Sequence, residues 1–387
     1  IEDSVDLFVE QTYAVGGRMG NPRLIRMLGE QSFSALEWLK SYGAVWSETF
    51  YQANGGLWPR SLDPDTCNTA GDIFLYNLQN PILEVGNTIL TNTCAERLIS
   101  DGGRVTGVFV RDVTTEKEFV VGANCGVVIA TGGYAANTDM LNKFNIVTPL
   151  TSSSRPGNTG DGILMAMQAG AALVDMDYVQ LHPSGNPKTG ELQFHLVGES
   201  MRTIYINVEG ERFVNEEGSW DAITSAVLKE PSMVMYVLMD STQMGVYTHF
   251  EQDLNSGDLL MGNTLEELAH KMGVDETTLQ KTVDTYNAGV YAGRPDAYSK
   301  KDRLPIDTPP YFATMRAPVI HYTLGGIKID EDAQALDKYG KKVPGLYAAG
   351  EVTGGIYGTN RLCGSSLTET VVFGRIAGAS AANGGGE

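Results

Sequence analysis

The chain has 387 residues and a formal net charge of −19 at pH 7. This length is enough for two domains, while the acidic balance argues against a nucleic-acid partner and against a broad basic face for anionic lipid. No apolar run approaches the roughly 20 residues of a membrane-spanning helix, so we expect no transmembrane segment in this stretch. The cysteines are widely spaced and form no C-x-x-C pair, so we expect neither a metal site nor a disulfide framework.

The first part of the chain predicts a helix, a loop region and a small sheet. Asn21-Pro22 opens a run with an apolar residue every three or four positions up to Gly43, which predicts a capped amphipathic helix. Trp58–Arg60 and Thr69–Gly71 follow in the loop region. Residues 84–121 then alternate apolar and polar side chains between glycine-containing turns, which predicts a small antiparallel sheet.

Two glycine-rich turns come next. The buried strand Val127–Ala130 is followed by the tight turn Thr131-Gly132-Gly133, and Thr159-Gly160-Asp161-Gly162 precedes a helix that ends near Gly170. A helix N-terminus attracts anions and other acceptors, so the second turn is suited to contact a ligand. Asp161 could equally serve only as the N-cap of this helix.

The middle of the chain has the composition of an inserted domain. From about Ser184 to Pro318 the sequence becomes more polar and shows helical patterns, such as Thr264–Lys271 and Glu276–Ala288. We therefore predict a first domain in two parts with a second domain inserted into it. The predicted bounds are residues 1–180 and 319–387 for the first domain and residues 181–318 for the inserted domain.

Candidate polar residues lie in the inserted region and near its two ends. His182, in Q-L-H-P, and His321, in H-Y-T-L-G-G, each come close to a domain crossing, although a lone histidine is more often structural. Glu199 and Arg202 are three positions apart, so on a helix the carboxylate and guanidinium can pair. Such a pair could also be a surface ion pair that contributes about 0–1 kcal/mol.

The last part of the chain has the pattern of a cofactor-binding βα unit. Leu346–Ala349 predicts a buried strand, Gly350 a tight turn, and Glu351 an acid at the strand's carboxyl end, where open α/β sheets bind ligands. Arg361 follows in a glycine-rich loop, and Ser366–Glu369 has the spacing of a helix capping box. The combination predicts a nucleotide-type cofactor at a helix N-terminus, and the simpler alternative is an ordinary βα unit with a surface loop.

Taken in order, these segments resemble the FAD-dependent fumarate reductase and succinate dehydrogenase flavoprotein family, which includes urocanate and acrylate-type reductases. The resemblance extends from about residue 127 to the end. It implies an α/β FAD-binding domain of the glutathione-reductase-like Rossmann type, an inserted α+β cap domain, and FAD as cofactor. The family begins with a G-x-G-x-x-G fingerprint, which this sequence lacks. We therefore expect a fragment whose missing part holds the adenine-side motif, any targeting signal and any fused electron-transfer domain.

The resemblance also implies roles for individual residues. Glu351 would bind the ribityl chain, Arg361, His182 and His321 the substrate, and Glu199 with Arg202 would form a proton relay. The implied FAD-contacting residues are Gly71, Thr131, Gly132, Gly133, Gly160, Asp161, Gly350, Glu351, Ser365, Ser366 and Leu367.

The sequence departs from the family at one catalytic position. After R-F-V-N-E, family members carry an arginine that protonates the substrate, whereas this chain has Trp220. A tryptophan N–H can only donate a hydrogen bond. The nearest alternative donors are Tyr205, His195 and Arg202. Trp220 could stack on a flat aromatic substrate, or it could simply pack beneath the cap.

We therefore predict a flavoprotein reductase of the C=C bond of an α,β-unsaturated carboxylate. Flavin N5 would supply the hydride and a cap-domain acid the proton, with Arg202, Glu199 and Tyr205 as the candidate catalytic residues. The preferred substrate would be a bulkier or aromatic enoate rather than fumarate. The alternatives are a flavin dehydrogenase of the succinate or ketosteroid type, and a flavin-binding pseudoenzyme. A haem domain, an FMN domain or another redox partner would supply electrons, and the sequence leaves the cellular compartment open.

Overall fold

The structure, a computed structural model, forms two compact units, each made from separate parts of the chain. It describes residues 3–53, 56–57, 59–63, 70–146, 149–192, 202–245 and 250–384. Unit 1 comprises Ile1–Val147, Arg155–Gln180 and Tyr322–Glu387, and unit 2 comprises Thr148–Ser154 and Leu181–His321.

The helices of the described residues are numbered in chain order. They are α1 (Val5–Val15), α2 (Pro22–Ser41), α3 (Ala70–Glu84), α4 (Thr138–Lys143), α5 (Asp161–Gln168), α6 (Trp220–Val227), α7 (Phe250–Ser256), α8 (Leu265–Met272), α9 (Glu276–Tyr291) and α10 (Ser365–Asn383). Within the described ranges, no helix is both long enough and apolar enough to span a bilayer.

The strands are numbered in the same way. They are β1 (Thr93–Asp101), β2 (Arg104–Asp112), β3 (Glu118–Gly122), β4 (Val127–Ile129), β5 (Leu173–Val174), β6 (Val179–Gly185), β7 (Thr203–Ile206), β8 (Met235–Asp240), β9 (Leu259–Gly262), β10 (Tyr311–Thr323), β11 (Gly326–Lys328), β12 (Gln334–Leu336), β13 (Lys342–Ala348) and β14 (Thr353–Gly354).

The N-terminal part of unit 1 confirms the predicted helix and antiparallel sheet. The side chain of Asn21 accepts the N–H of Arg23 at the start of α2, Pro22 occupies the first turn, and the chain leaves the helix through Gly43 at a φ of +90°. Strands β1, β2 and β3 form a separate antiparallel sheet in that order.

The sheet that positions the candidate cofactor residues has the order β12-β13-β4. β13 runs parallel to β4, with Leu346 opposite Val127 and Ala348 opposite Ile129. Parallel strands end at the same edge of a sheet, so the turns that follow β4 and β13 lie side by side. The chain then enters α10, which contacts both strands.

Unit 2 is built on the sheet β6-β10-β8-β7, with β9 also paired to β10. Alternate residues of β7 enter different apolar clusters: Tyr205 enters one, while Ile204 and Ile206 enter the other. Leu268 of α8 and Leu279 of α9 belong to the second cluster. The helical patterns predicted for this region are therefore confirmed.

One short segment falls in a different unit from the one predicted. Thr148–Ser154, which the sequence placed in the first domain, belongs to unit 2. The physical reason is pairing with β10, because Ser152 forms a parallel bridge to Ile320 and the N–H of Ser153 donates to the carbonyl of Ile320. At the other crossing, unit 1 resumes at Tyr322 rather than at residue 319.

Candidate functional site

The turns after β4 and β13 approach each other too closely for a larger residue at Gly133. A Cβ at this position would lie 2.0 Å from Thr323 Oγ1 and 2.4 Å from Glu351 Oε1. Gly132 and Gly350 adopt positive φ values of +76° and +81°, which glycine tolerates at little cost. Gly133 thus brings bare backbone up to the carboxyl group of Glu351.

Glu351 is held by donors from neighbouring elements of unit 1. Its Oε1 accepts the N–H of Thr323 at 2.9 Å and the Oγ1 hydroxyl of Thr323 at 3.0 Å, and its Oε2 accepts Asn158 Nδ2 at 3.4 Å. Burial raises the pKa of Glu351, and the Thr323 hydrogen bonds oppose that rise. A fixed, half-buried carboxyl beside two glycine turns is suited to bind the hydroxyl groups of a cofactor.

Two helices of unit 1 begin without a side-chain cap. The N-cap of α5 is Gly160 and the N-cap of α10 is Gly364, at φ values of +81° and +82°. The interpretation of Asp161 as an N-cap was therefore wrong, since Asp161 is the first helical residue and is exposed. Uncapped N–H groups and the positive end of the helix dipole favour an external acceptor.

The predicted capping box at Ser366–Glu369 does not form. The N-cap of α10 is Gly364 rather than Ser366, so the helix begins two residues earlier than the box predicts. Glu369 is buried in the second turn, where its Oε2 accepts the hydroxyl of Tyr322 at 3.0 Å. Ser365, Ser366 and Leu367 thus form the first turn of α10.

Taken together, the strand-end turns and the open helix ends fit an FAD. Thr131, Gly132 and Gly133 follow β4, while Gly350 and Glu351 follow β13. Gly71 is the second residue of α3. Thr69, which precedes it in the predicted loop segment Thr69–Gly71, lies outside the described residues. The contact of each of these residues with the cofactor remains a prediction.

Arg361 is a buried cation that forms no salt bridge with a carboxylate among the described residues. The residue is 5% exposed, and its guanidinium carbon lies 4.5 Å from the ring centre of Tyr322. Nη1 donates to the carbonyl of Leu362 at 3.2 Å, whereas Nε has no acceptor in the described part of the chain. A buried charge is costly unless it is paired. The guanidinium of Arg361 is therefore suited to bind an anion.

In unit 2, three of the predicted substrate residues lie together. The ring centre of His182 lies 4.0 Å from that of Trp220 and 5.4 Å from that of His321. The backbone N–H of Ser184 donates to His182 Nδ1 at 3.2 Å, so neutral His182 carries its proton on Nε2. Ser153 Oγ lies 3.0 Å from His321 Nδ1. This histidine pair can present donors to a carboxylate or carbonyl oxygen.

Trp220 is both a packing residue and a neighbour of His182. It is the first residue of α6, after the N-cap Ser219, whose hydroxyl accepts the N–H of Ala222. Its partly buried ring packs against the apolar cluster that contains Val214 and Ile223. The indole is thus packed against the core of unit 2 and also lies beside His182, while its stacking on a substrate stays a prediction.

The candidate proton donors are placed very differently from one another. Glu199 and His195 lie outside the described residues, and Arg202 is a partly buried residue directly before β7. Tyr205 is fully buried in an apolar cluster, and burial and the charge of Glu216 raise its pKa. A phenol that is both inaccessible and a weaker acid is a poor proton donor, which argues against Tyr205 as a catalytic residue.

Sequence reasoning missed the buried ion network of unit 2. The guanidinium of Arg212 donates two hydrogen bonds to the carboxylate of Glu216, at 2.8 and 2.7 Å, and a third to Asp296 at 2.6 Å. Lys300 lies 3.6 Å from Glu216, and burial lowers its pKa to about 8. The only signal in the sequence was the opposite charge of Arg212 and Glu216 four residues apart, in a segment that the structure shows outside any helix. Since Glu216 also accepts the N–H of Tyr205, the network fixes β7 after Arg202.

Known proteins share this fold and much of this sequence. A family model described as an FAD binding domain matches residues 1–367. The NADH:acrylate oxidoreductase of Vibrio harveyi is 36% identical over 402 residues, covering 98% of this chain and 40% of that protein. The urocanate reductase of Eggerthella lenta is 35% identical over 399 residues, covering 99% and 65%. The open conformation of a flavocytochrome c3 fumarate reductase has a TM-score of 0.87 at 34% identity, covering 100% of this chain and 68% of that one.

The chain therefore belongs to the FAD-binding family of fumarate reductase-type flavoproteins, a class of FAD-dependent oxidoreductases. Its fold is the α/β FAD-binding fold of that family, and FAD is its cofactor. The chain spans between two fifths and two thirds of the length of the curated relatives named above.

The role of Glu351 can be tested by removing its carboxyl group. We expect Glu351→Ala to bind FAD about 2- to 10-fold more weakly, since a net hydrogen bond contributes about 0.5–1.5 kcal/mol. FAD titration of the apoprotein measures this change. Glu331→Ala removes an exposed glutamate of unit 1 and serves as the control. Equal affinities in wild type and Glu351→Ala would show that Glu351 does not bind the cofactor.

Proposed function

We propose that this chain reduces the C=C bond of an α,β-unsaturated carboxylate. The observation that carries the proposal is Arg361, a buried guanidinium that forms no salt bridge among the described residues and whose Nε has no acceptor there. A planar fork of N–H donors matches a carboxylate in a bidentate pair. Relatives named as acrylate and urocanate reductases act on acids of this class, which supports the same chemistry here.

In this proposal the chain's own residues bind and polarise the substrate. Arg361 binds the substrate carboxylate through its planar fork of N–H donors. His182 and His321 are proposed as further substrate-binding residues, the role that the family resemblance implies for them. Withdrawing charge from the carboxylate makes the β-carbon electrophilic and stabilises the enolate that develops during reduction. FAD, when bound, supplies the hydride from N5.

Protonation of the substrate requires a donor other than Trp220. Arg202 remains the candidate, with Glu199 as the residue that returns its proton, by analogy with the family relay. General acid catalysis contributes typically about 10²- to 10⁴-fold, so efficient turnover needs such a group. The ion network around Glu216 supports this assignment, because it fixes the strand that begins immediately after Arg202.

The substrate is proposed to be bulkier than fumarate, with an aromatic or heteroaromatic group. The family's arginine would be a cation at the position of Trp220, whereas the indole is a large planar ring beside His182. Aromatic rings stack favourably on one another, while a cation would favour a second carboxylate. The substitution therefore favours a monocarboxylate with a planar substituent over a dicarboxylate.

A single-turnover experiment tests the proposed function without knowledge of the natural electron donor. The flavin of the full-length protein is reduced anaerobically with dithionite and then mixed with acrylate, fumarate, urocanate or cinnamate. We expect reoxidation by at least one acid, with formation of the saturated product. Reduced flavin that persists with every acid would contradict the proposal and favour a flavin-binding protein without this activity.

A further inference from the structure

A buried acid, Glu369, is connected to Arg361 through the side chain of Tyr322. Glu369 is 1% exposed and accepts the hydroxyl of Tyr322 at 3.0 Å. The guanidinium carbon of Arg361 lies over the face of the same ring, 4.5 Å from the ring centre. Tyr322 thus connects the acid at its hydroxyl with the cation on its face, and all three residues belong to unit 1.

Several ionisable groups of unit 1 surround Glu369. Tyr322 approaches it from β10, and Tyr357 and Arg361 approach it from the loop before α10, while Glu351 adds a like charge. Burial is the main cause that raises the pKa of Glu369 to about 7, and the Tyr322 hydrogen bond and the positive charge of Arg361 oppose this rise. Small changes in the local charge can therefore change the protonation of Glu369.

We propose that Glu369 is a positioning residue that couples binding of the substrate carboxylate at Arg361 to the uptake of one proton. An ionised Glu369 compensates the charge of Arg361 and weakens its attraction for a second anion. When a substrate carboxylate binds, two negative charges share one buried cation, which favours the protonated form of Glu369. This inference rests on the proposed role of Arg361 in carboxylate binding.

The direction of the pH dependence follows from this coupling. At low pH Glu369 is already neutral, so substrate binds without proton uptake and with its highest affinity. Above the pKa of free Glu369 each binding event must first protonate the acid. The dissociation constant then rises by up to about tenfold per pH unit. Other groups also titrate in this range, so only comparison with a variant of Glu369 isolates its contribution.

Calorimetry on the oxidised, full-length holoprotein tests the coupling. Cinnamate is the probe, because its own carboxyl is ionised throughout the range from about pH 6 to about pH 8.5. Glu369→Gln keeps an acceptor for Tyr322 and mimics the neutral acid, and Glu10→Gln, an exposed glutamate in α1, is the matched control. Titrations in buffers of different ionisation enthalpy give the number of protons taken up.

We expect wild type and Glu10→Gln to take up close to one proton at about pH 8, and Glu369→Gln to take up fewer. The dissociation constant should rise about tenfold or more across the range in wild type, but less than about threefold in Glu369→Gln. The same pH dependence in both proteins would overturn the coupling while leaving the proposed function intact. Absence of cinnamate, fumarate and urocanate binding at every pH would overturn both. Proton-linked binding without turnover in the acid panel would support the coupling and contradict the reductase function.

Discussion

Arg361→Lys is expected to lower kcat/KM for the best enoate by about 10- to 150-fold, which corresponds to the roughly 1.5–3 kcal/mol of a charged, bidentate hydrogen-bonded pair. A lysine keeps the positive charge but cannot reproduce the planar fork of donors. It also cannot stack on the ring of Tyr322 in the way the guanidinium does. Steady-state kinetics of the two proteins measure the loss.

The control for this variant is Arg375→Lys. Arg375 also lies over an aromatic ring, that of Trp38, but it is in the middle of α10 and donates to Ser34. We expect Arg375→Lys to retain wild-type kinetics. If Arg361→Lys also retained them on the best substrate, Arg361 would not be the carboxylate-binding residue.

The second large effect concerns Trp220. We expect the wild type to reduce cinnamate or urocanate much faster than fumarate, because an indole replaces the family's cationic proton donor beside His182. Trp220→Arg should raise the ratio of kcat/KM for fumarate to kcat/KM for the better aromatic acid by about 10²-fold or more, which is within the range of general acid catalysis. Initial-rate measurements with each acid give this ratio directly.

Trp220→Phe separates the ring from the indole N–H. The phenyl ring should keep its packing in the apolar cluster of unit 2 and should keep the preference for aromatic acids. Efficient fumarate reduction by the wild type would refute this account of Trp220. An unchanged preference in Trp220→Arg would refute it as well.

Local sequence patterns were sufficient for most of the secondary structure near the site. The caps and apolar spacing of α2, α8 and α9, and the strand-turn patterns of β4 and β13, depend on neighbours a few residues apart. Because β4 and β13 pair in parallel, Glu351 after β13 lies close to the turn after β4, and only a glycine fits at position 133 in that turn.

The capping box illustrates where local patterns are insufficient. Ser366–Glu369 has the correct spacing, but Gly364 starts the helix earlier and Glu369 hydrogen-bonds to Tyr322 instead. This contact joins residues far apart in the chain, and no periodicity encodes it. The pairing of Ser152 with Ile320 was missed for the same reason.

The candidate site shows the same division. The resemblance indicated His182, His321 and Trp220 separately, and the structure adds that their rings lie together in unit 2. Burial could not be inferred from the sequence, although it distinguishes Tyr205, a core residue, from Arg202, a partly buried one. The connection of Glu369 to Arg361 through Tyr322 could likewise be seen only in the tertiary structure.

If the reducible double bond must stand beside a carboxylate, a matched acid and amide give the most direct test. The reduced full-length protein is mixed anaerobically with cinnamate or with cinnamide, and flavin reoxidation is followed by stopped-flow absorbance. We predict reoxidation by cinnamate at least about 10-fold faster than by cinnamide, because only the acid can form the charged pair with Arg361. Equal rates with the acid and the amide would contradict the account.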